Sequence, residues 1–237
     1  MRKILLLMLG VMIMLTATAS AKSIRTPAGN MPRVQWAFVE SAAGTMSQMI
    51  EIGARVLAPT TAKEAGTYAL YGAIERDNPN LMRLLEVYES DEAYRIHSTS
   101  PAFQQYRAER LPILAGLKLL PVNGIVLEQK NKGVGTVVKT YRFEIVPADL
   151  AKFQQIISDE AVRAVCEDSG VMGAFVTAEQ PRPNVLHTMI IFSDENAAQK
   201  YFASSAYKNY RRQVELLIQT EQVIDYQPTK ITLSEKF

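Results

Sequence analysis

Along this chain the spacing of apolar positions switches between a period of two and one near 3.6, in the same order twice. In the first half, residues 34–39 read as a strand, 46–57 as a helix, and 68–74 and 81–88 as strands. Residues 91–97 and 101–114 return to helical spacing, and 122–127 close the unit with a strand. In the second half, 137–145 is a β-rich run. Pro147-Ala148-Asp149 then starts a helix carried by Leu150, Phe153, Ile156, Ile157 and Val165. Ser169-Gly170 stops it; 171–176 and 185–192 are strands. Helical spacing resumes at Asp194, breaks near Ser204-Ser205 and runs to about residue 217, before a last strand over 224–233. The order β-α-β-β-α-β, twice, is the ferredoxin-like arrangement of an α+β fold.

The halves are copies. Gly66 and Gly170 stand 170 − 66 = 104 positions apart, and at that spacing Pro79-Asn80 matches Pro183-Asn184. Ala93 likewise matches Ala197, Ser100 matches Ser204, and Tyr106-Arg107 matches Tyr210-Arg211. A period this long is a whole domain, so the chain is a tandem duplication. We expect domains at 33–129 and 135–235, joined by the polar stretch Gln129-Lys130-Asn131-Lys132-Gly133-Val134-Gly135. The Gly-x-Gly there lacks a third glycine and a surrounding βαβ unit, so it carries no nucleotide reading.

The third strands are apolar on both parities, most clearly over 185–192. A sheet with helices on one face only should alternate more cleanly. The pattern therefore predicts that the two ferredoxin-like domains pack sheet to sheet, covering each other's second face.

Residues 1–21 read as a signal peptide: Arg2 and Lys3, an apolar run from Ile4 to Leu15, then Ala19-Ser20-Ala21. The run is shorter than the roughly 20 residues of a spanning helix, so no stable membrane span is expected after cleavage and the protein should be exported, periplasmic or secreted. Cleavage removes two of the 26 basic residues and leaves 24 of each sign. That balance argues against a nucleic-acid or anionic-membrane partner. Cys166 is the single cysteine, so no internal disulfide is possible, and it reads as a buried small hydrophobe. With two histidines and one cysteine, a conventional zinc site is not expected.

Three segments of the first copy resemble the antibiotic biosynthesis monooxygenase family. They are Glu64-Ala65-Gly66-Thr67-Tyr68, then Leu84 to Ala93, and then His97-Ser98-Thr99-Ser100-Pro101-Ala102-Phe103. The resemblance covers roughly residues 33–128 and fades in the second copy. It implies a dimeric α/β barrel, built here within one chain. It also implies a pocket between sheet and helices where a small aromatic or quinol-like molecule meets O₂ without flavin or metal. The alternative is a non-catalytic binder of a hydrophobic small molecule or heme. A homodimer of the tandem chain remains open.

His97 matches the family's histidine, and an imidazole with a pKa near 6.5 suits proton transfer from a phenol; the plain alternative is a helix-end cap. Glu86 lies mid-strand among apolar residues, where a carboxylate needs a partner or a polar pocket. Their counterparts, Tyr201 and Ile190, cannot do the same work, which puts the site in the first copy. Trp36, Tyr68, Tyr71, Tyr88 and Phe103 are the candidate substrate-binding aromatics, though core packing is the commoner role of such residues.

Overall fold

The computed structural model describes residues 21–24 and 32–236. The leader expected over 1–21 lies outside the described residues except for Ala21. The first repeat runs β2 (Arg33–Ser41), α1 (Met46–Ile52), a π-helical turn (Gly53–Leu57), α2 (Ala58–Thr61), β3 (Thr67–Ile74) and β4 (Leu81–Tyr88). It continues through α3 (Asp91–Thr99) and α4 (Pro101–Arg110) into β5 (Leu114–Lys130). The second repeat has β6 (Val134–Gly135), β7 (Val137–Ile145), α5 (Leu150–Glu167), β8 (Val171–Glu179) and β9 (Val185–Phe192). It ends with α6 (Glu195–Ala203), α7 (Ser205–Val214), β10 (Ile218–Asp225) and β11 (Ile231–Thr232). A short leading strand, β1 (Ala21–Ile24), lies along β5.

Both repeats have the ferredoxin-like strand order, and the two sheets join edge to edge as β10-β7-β9-β8-β5-β2-β4-β3. The joint is β5. Its first half pairs with β2 from Leu114 to Val122, and its second half pairs with β8 of the other repeat, from Val122 to Gln129. At the far edges the barrel closes through a single bridge, Glu75 to Tyr226. Two hydrogen bonds flank it, Arg76 N to Asp225 O (2.8 Å) and Gln227 N to Ile74 O (2.9 Å).

Alternation along each strand divides the apolar residues between two kinds of core. Trp36, Tyr71, Leu85 and Val87 of the first repeat meet Phe175, Met189 and Ile191 of the second inside the barrel. Trp36 Nε1 donates to Thr177 Oγ1 across it (3.0 Å). The opposite faces pack under each repeat's own helices, in a large cluster in the second repeat and a small one around Ala37, Val39, Met46 and Met49 in the first. The two-sided apolar pattern of the third strands has this double burial as its cause.

The helix breaks repeat as well. Ser90 and Ser100 cap α3 and α4 by accepting from Ala93 N and Phe103 N, while Asp194 and Ser204 do the same for α6 and α7. Gly66 and Gly170 match because the turn before β3 or β8 presses on the next helix. A Cβ there would stand 2.6 Å from Ala93 Cβ or 2.3 Å from Ala197 Cβ.

Several boundaries differ from the sequence expectation. β5 begins at Leu114 rather than residue 122, because residues 114–121 form a half-exposed edge with no clean apolar alternation. Gln129 and Lys130 belong to β5 and Val134-Gly135 to β6, which leaves a connection of only Asn131–Gly133. The last strand divides into β10 and β11 at Pro228, which has no N–H for a ladder. Cys166 is exposed rather than buried, since it lies on the solvent side of α5.

The close approach at the repeated glycines gives a direct test. Gly170→Ala should destabilise the protein by about 1–3 kcal/mol in urea unfolding, as overpacking does, and Ala197→Gly in the same chain should recover much of the loss.

Candidate active site

A cavity of about 680 Å³ lies in the first repeat, between α1, the π turn and α2 on one side and β3 and β4 on the other. Met49, Leu57, Met82 and Leu84 make its walls apolar, and Tyr68, Tyr71 and Tyr106 also line it. The matching place in the second repeat keeps a void of only about 30 Å³. Local sequence explains the difference. Pro59 cannot donate to the helix ladder, and the helix before it widens into the π turn and ends at Thr61. At the 104 spacing the second repeat has Arg163 instead, and α5 runs unbroken for 18 residues. Gly53 and Met49 face their counterparts Ile157 and Phe153, whose larger side chains fill that space in the second repeat.

Beside the cavity, between the sheet and α3–α4, lies a cluster of polar side chains. His97 ends α3 fully buried, its Nδ1 2.7 Å from Glu64 Oε2, which also accepts from Thr67 Oγ1 (2.8 Å). Glu86 Oε2 accepts from Gln35 Nε2 (2.6 Å) and from the Tyr88 hydroxyl (3.0 Å). The buried Arg110 donates from Nη1 to the Tyr106 hydroxyl (3.3 Å) and lies over the Tyr106 ring at 4.6 Å. Aromatic edges connect these groups: His97 is 5.5 Å from Tyr88 and 5.0 Å from Phe103, and Phe103 is 6.1 Å from Tyr106.

Of the residues singled out from sequence, Tyr68 and Tyr71 line the cavity. His97, Glu86, Tyr88 and Phe103 form the cluster behind its Tyr106 wall. Trp36 does neither; it points into the barrel, on the other face of the sheet. Sequence reading missed Arg110, Gln35 and Glu64. The signal was present for Arg110: at the 104 spacing its counterpart is Val214, just as Ile190 replaces Glu86 and Phe192 replaces Tyr88. At these three positions the second repeat is hydrophobic, and its own buried carboxylate, Glu160, is bonded instead to Tyr201 and Arg163.

Burial sets the protonation of these groups. It raises the Glu86 carboxyl above the ordinary carboxylate range, against the pull of Gln35, Tyr88, His97 and Arg110. It also raises the Tyr68, Tyr71 and Tyr88 phenols, so these stay protonated and act as hydrogen-bond donors near neutral pH. Tyr71 is fully engaged: its hydroxyl donates to Gln129 Oε1 (2.7 Å) and accepts from Ser234 N (2.8 Å). Tyr106 lines the cavity, and its hydroxyl oxygen accepts from the buried Arg110.

Two ferredoxin-like sheets closed into one barrel, with a helix-covered cavity in one of them, form an α/β barrel of the dimeric ferredoxin-like class within a single chain. Residues 32–109, within the first repeat, match the model of the antibiotic biosynthesis monooxygenase family. No curated protein matches the sequence. Among solved structures, a candidate monooxygenase from Lactobacillus acidophilus NCFM superposes with a TM-score of 0.79 at 14% identity, over 86% of this chain and 97% of its own. One from Fusobacterium nucleatum gives 0.79 at 15%, over 87% and 96%. An anthrone oxidase-like protein gives 0.56 at 11%, over 90% and 97%. At these identities the likeness is one of fold, and it extends over both repeats.

Glu86 gives a pH test with a definite sign. A carboxyl raised in the folded state holds its proton more tightly there. Its stabilising contribution is therefore full below the unfolded value of 4.5 and is lost as pH rises through the folded value. Glu86→Gln, which keeps an acceptor for Gln35 and Tyr88, should melt higher than the wild type at about pH 8. The gain should vanish near about pH 4.

Proposed function

We propose that the first repeat is a cofactor-independent monooxygenase for a phenolic or quinol-type aromatic, and that the second repeat serves as its structural partner. One observation carries this reading: the open cavity lies beside the His97, Glu86 and Arg110 cluster in the first repeat, whereas the second repeat has Tyr201, Ile190 and Val214 at those positions and keeps only a small void. Buried charge is costly, and the second repeat folds without this set.

The cavity volume suits an aromatic of two or three rings, packed between the aliphatic wall and the tyrosines. The Tyr106 hydroxyl, its oxygen held by Arg110, is free to donate its own proton in a hydrogen bond to the substrate oxygen. That donor stabilises negative charge as the phenol ionises and electron density moves toward O₂. One oxygen atom then enters the ring carbon and the other leaves as water, with the electrons supplied by the substrate. The apolar walls keep bulk water from the reactive carbanion. His97, tied to Glu64, stands behind Phe103 and Tyr106 and is the candidate to receive the phenol proton.

For the heme-binding alternative, the side chains on the cavity wall that could meet iron are Met49, Met82 and the tyrosines. The residues 1–21 pattern supports export, which N-terminal sequencing of the protein recovered from a membrane-enclosed fraction would test.

Oxygen uptake with a panel of benzene and naphthalene hydroquinones and an anthrone is the deciding assay. Wild-type protein should consume O₂ above the buffer rate, and Arg110→Met should lower kcat/KM by about 10²-fold, as loss of a charge-stabilising donor does. Gly53→Ile, which copies the second repeat's side chain into the cavity, should abolish uptake while leaving the fold intact. No uptake across the panel from folded protein would favour the binding-protein reading.

A further inference from the structure

The two seams of the barrel should be equivalent by the internal repeat, and they are not. In the first seam, β5 zips onto β8 from Val122 to Gln129. The corresponding residues, 226–233, should zip onto β3, yet they make one bridge at Tyr226 and then turn away. Pro228 stands where β5 has Gly124, and Ile231–Thr232 pair with β6 instead. Backbone groups alternate between the two edges of an antiparallel strand. Glu75 N points inward to Leu81 O, while Ile74 O and Arg76 N point outward to the second repeat. Leu70 and Gly72 therefore present their N–H and C=O groups to the bare outer edge of β3, and both line the 680 Å³ cavity. Among the described residues, no backbone group pairs with them there.

What crosses this slot is the chain from Thr232 to Lys236, which also lines the cavity. Lys236 Nζ donates to the carbonyls of Thr61 (2.9 Å), Glu64 (2.7 Å) and Thr67 (3.2 Å). The first seam has the same clamp: Lys130 Nζ donates to Val165 O and Asp168 O, the positions that match Thr61 and Glu64. Lys130, however, ends a fully paired strand, whereas Lys236 follows a segment that has no ladder to β3 and is held by two residues paired with β6 and by Ser234 on Tyr71 and Gln129. The Thr61 carbonyl it grips ends the short helix that roofs the cavity.

We propose that the slot between β3 and residues 227–236 is the ligand entrance to the first repeat's cavity, and that Lys236 is the latch of a C-terminal gate across it. The bare amide edge of Leu70 and Gly72 then offers hydrogen bonds to an oxygen-bearing aromatic as it passes inward. This rests on the cavity being the ligand site, as proposed above, but not on any turnover there.

Stopped-flow fluorescence with 8-anilinonaphthalene-1-sulfonate as the probe tests it, with Gly53→Ile identifying the signal that belongs to the cavity. Lys236→Met should raise both the association and dissociation rates about tenfold while changing Kd much less, as removal of a gate does. Lys130→Met should leave both rates near the wild type. A chain ending at Leu233 should behave like Lys236→Met, and covers the case in which that variant fails to fold. In hydrogen exchange on the wild type, the Leu70 and Gly72 amides should exchange quickly and slow when the probe is bound. Unchanged rates in both Lys236→Met and the shortened chain, or strong protection of both amides without the probe, would overturn the latch. Probe fluorescence indifferent to Gly53→Ile would overturn it by removing the cavity. Oxygen uptake is not read, so a protein inert toward hydroquinones still decides the question.

Discussion

Each sheet in this protein has one face that its own helices cover and one that they cannot reach. The uncovered faces carry Trp36, Tyr71 and Leu85 in one repeat and Phe175, Met189 and Ile191 in the other, and water is excluded from them only when the repeats face each other. β5 makes that arrangement durable, since its 17 residues belong to both sheets and a single strand fixes their register. The helices, the cavity and the polar cluster are all placed relative to this shared core. Joining the two units in one chain also removes the need for them to be identical. A symmetric pair of chains would carry any change twice.

The two repeats have used that freedom in opposite directions. The second has an unbroken α5, bulky Phe153 and Ile157, and apolar Ile190 and Val214, and it packs almost without voids. The first has Pro59, Gly53 and a widened helical turn, and keeps Glu86, His97 and Arg110 in the interior beside an open cavity. A cavity and buried charge each lower stability. The first repeat carries both side by side, which supports the site proposed there.

The seams show the same division. Backbone pairing closes one side of the barrel continuously, and the other side is held by a bridge, a proline-broken segment and a lysine on three carbonyls. The more sparsely paired seam borders the cavity, where the ligand entrance is proposed.

Sequence alone fixed the duplication, the order of elements and the need for sheet-to-sheet packing. These follow from local periodicity and from identities at a constant spacing, which do not depend on knowing what touches what. It also separated the repeats chemically, because a buried-strand Glu86 opposite Ile190 is visible without coordinates. The tertiary structure decided which aromatics face the cavity. Trp36 and Tyr71 look alike in a strand pattern and both enter the barrel core, but only Tyr71, on the edge strand, also borders the cavity. It also decided that Arg110 caps the Tyr106 hydroxyl and that Lys236, 169 positions from Thr67, closes over the first repeat. Those contacts join residues far apart in the chain through the closure of the barrel, and no local pattern of polar and apolar positions encodes a distance across it.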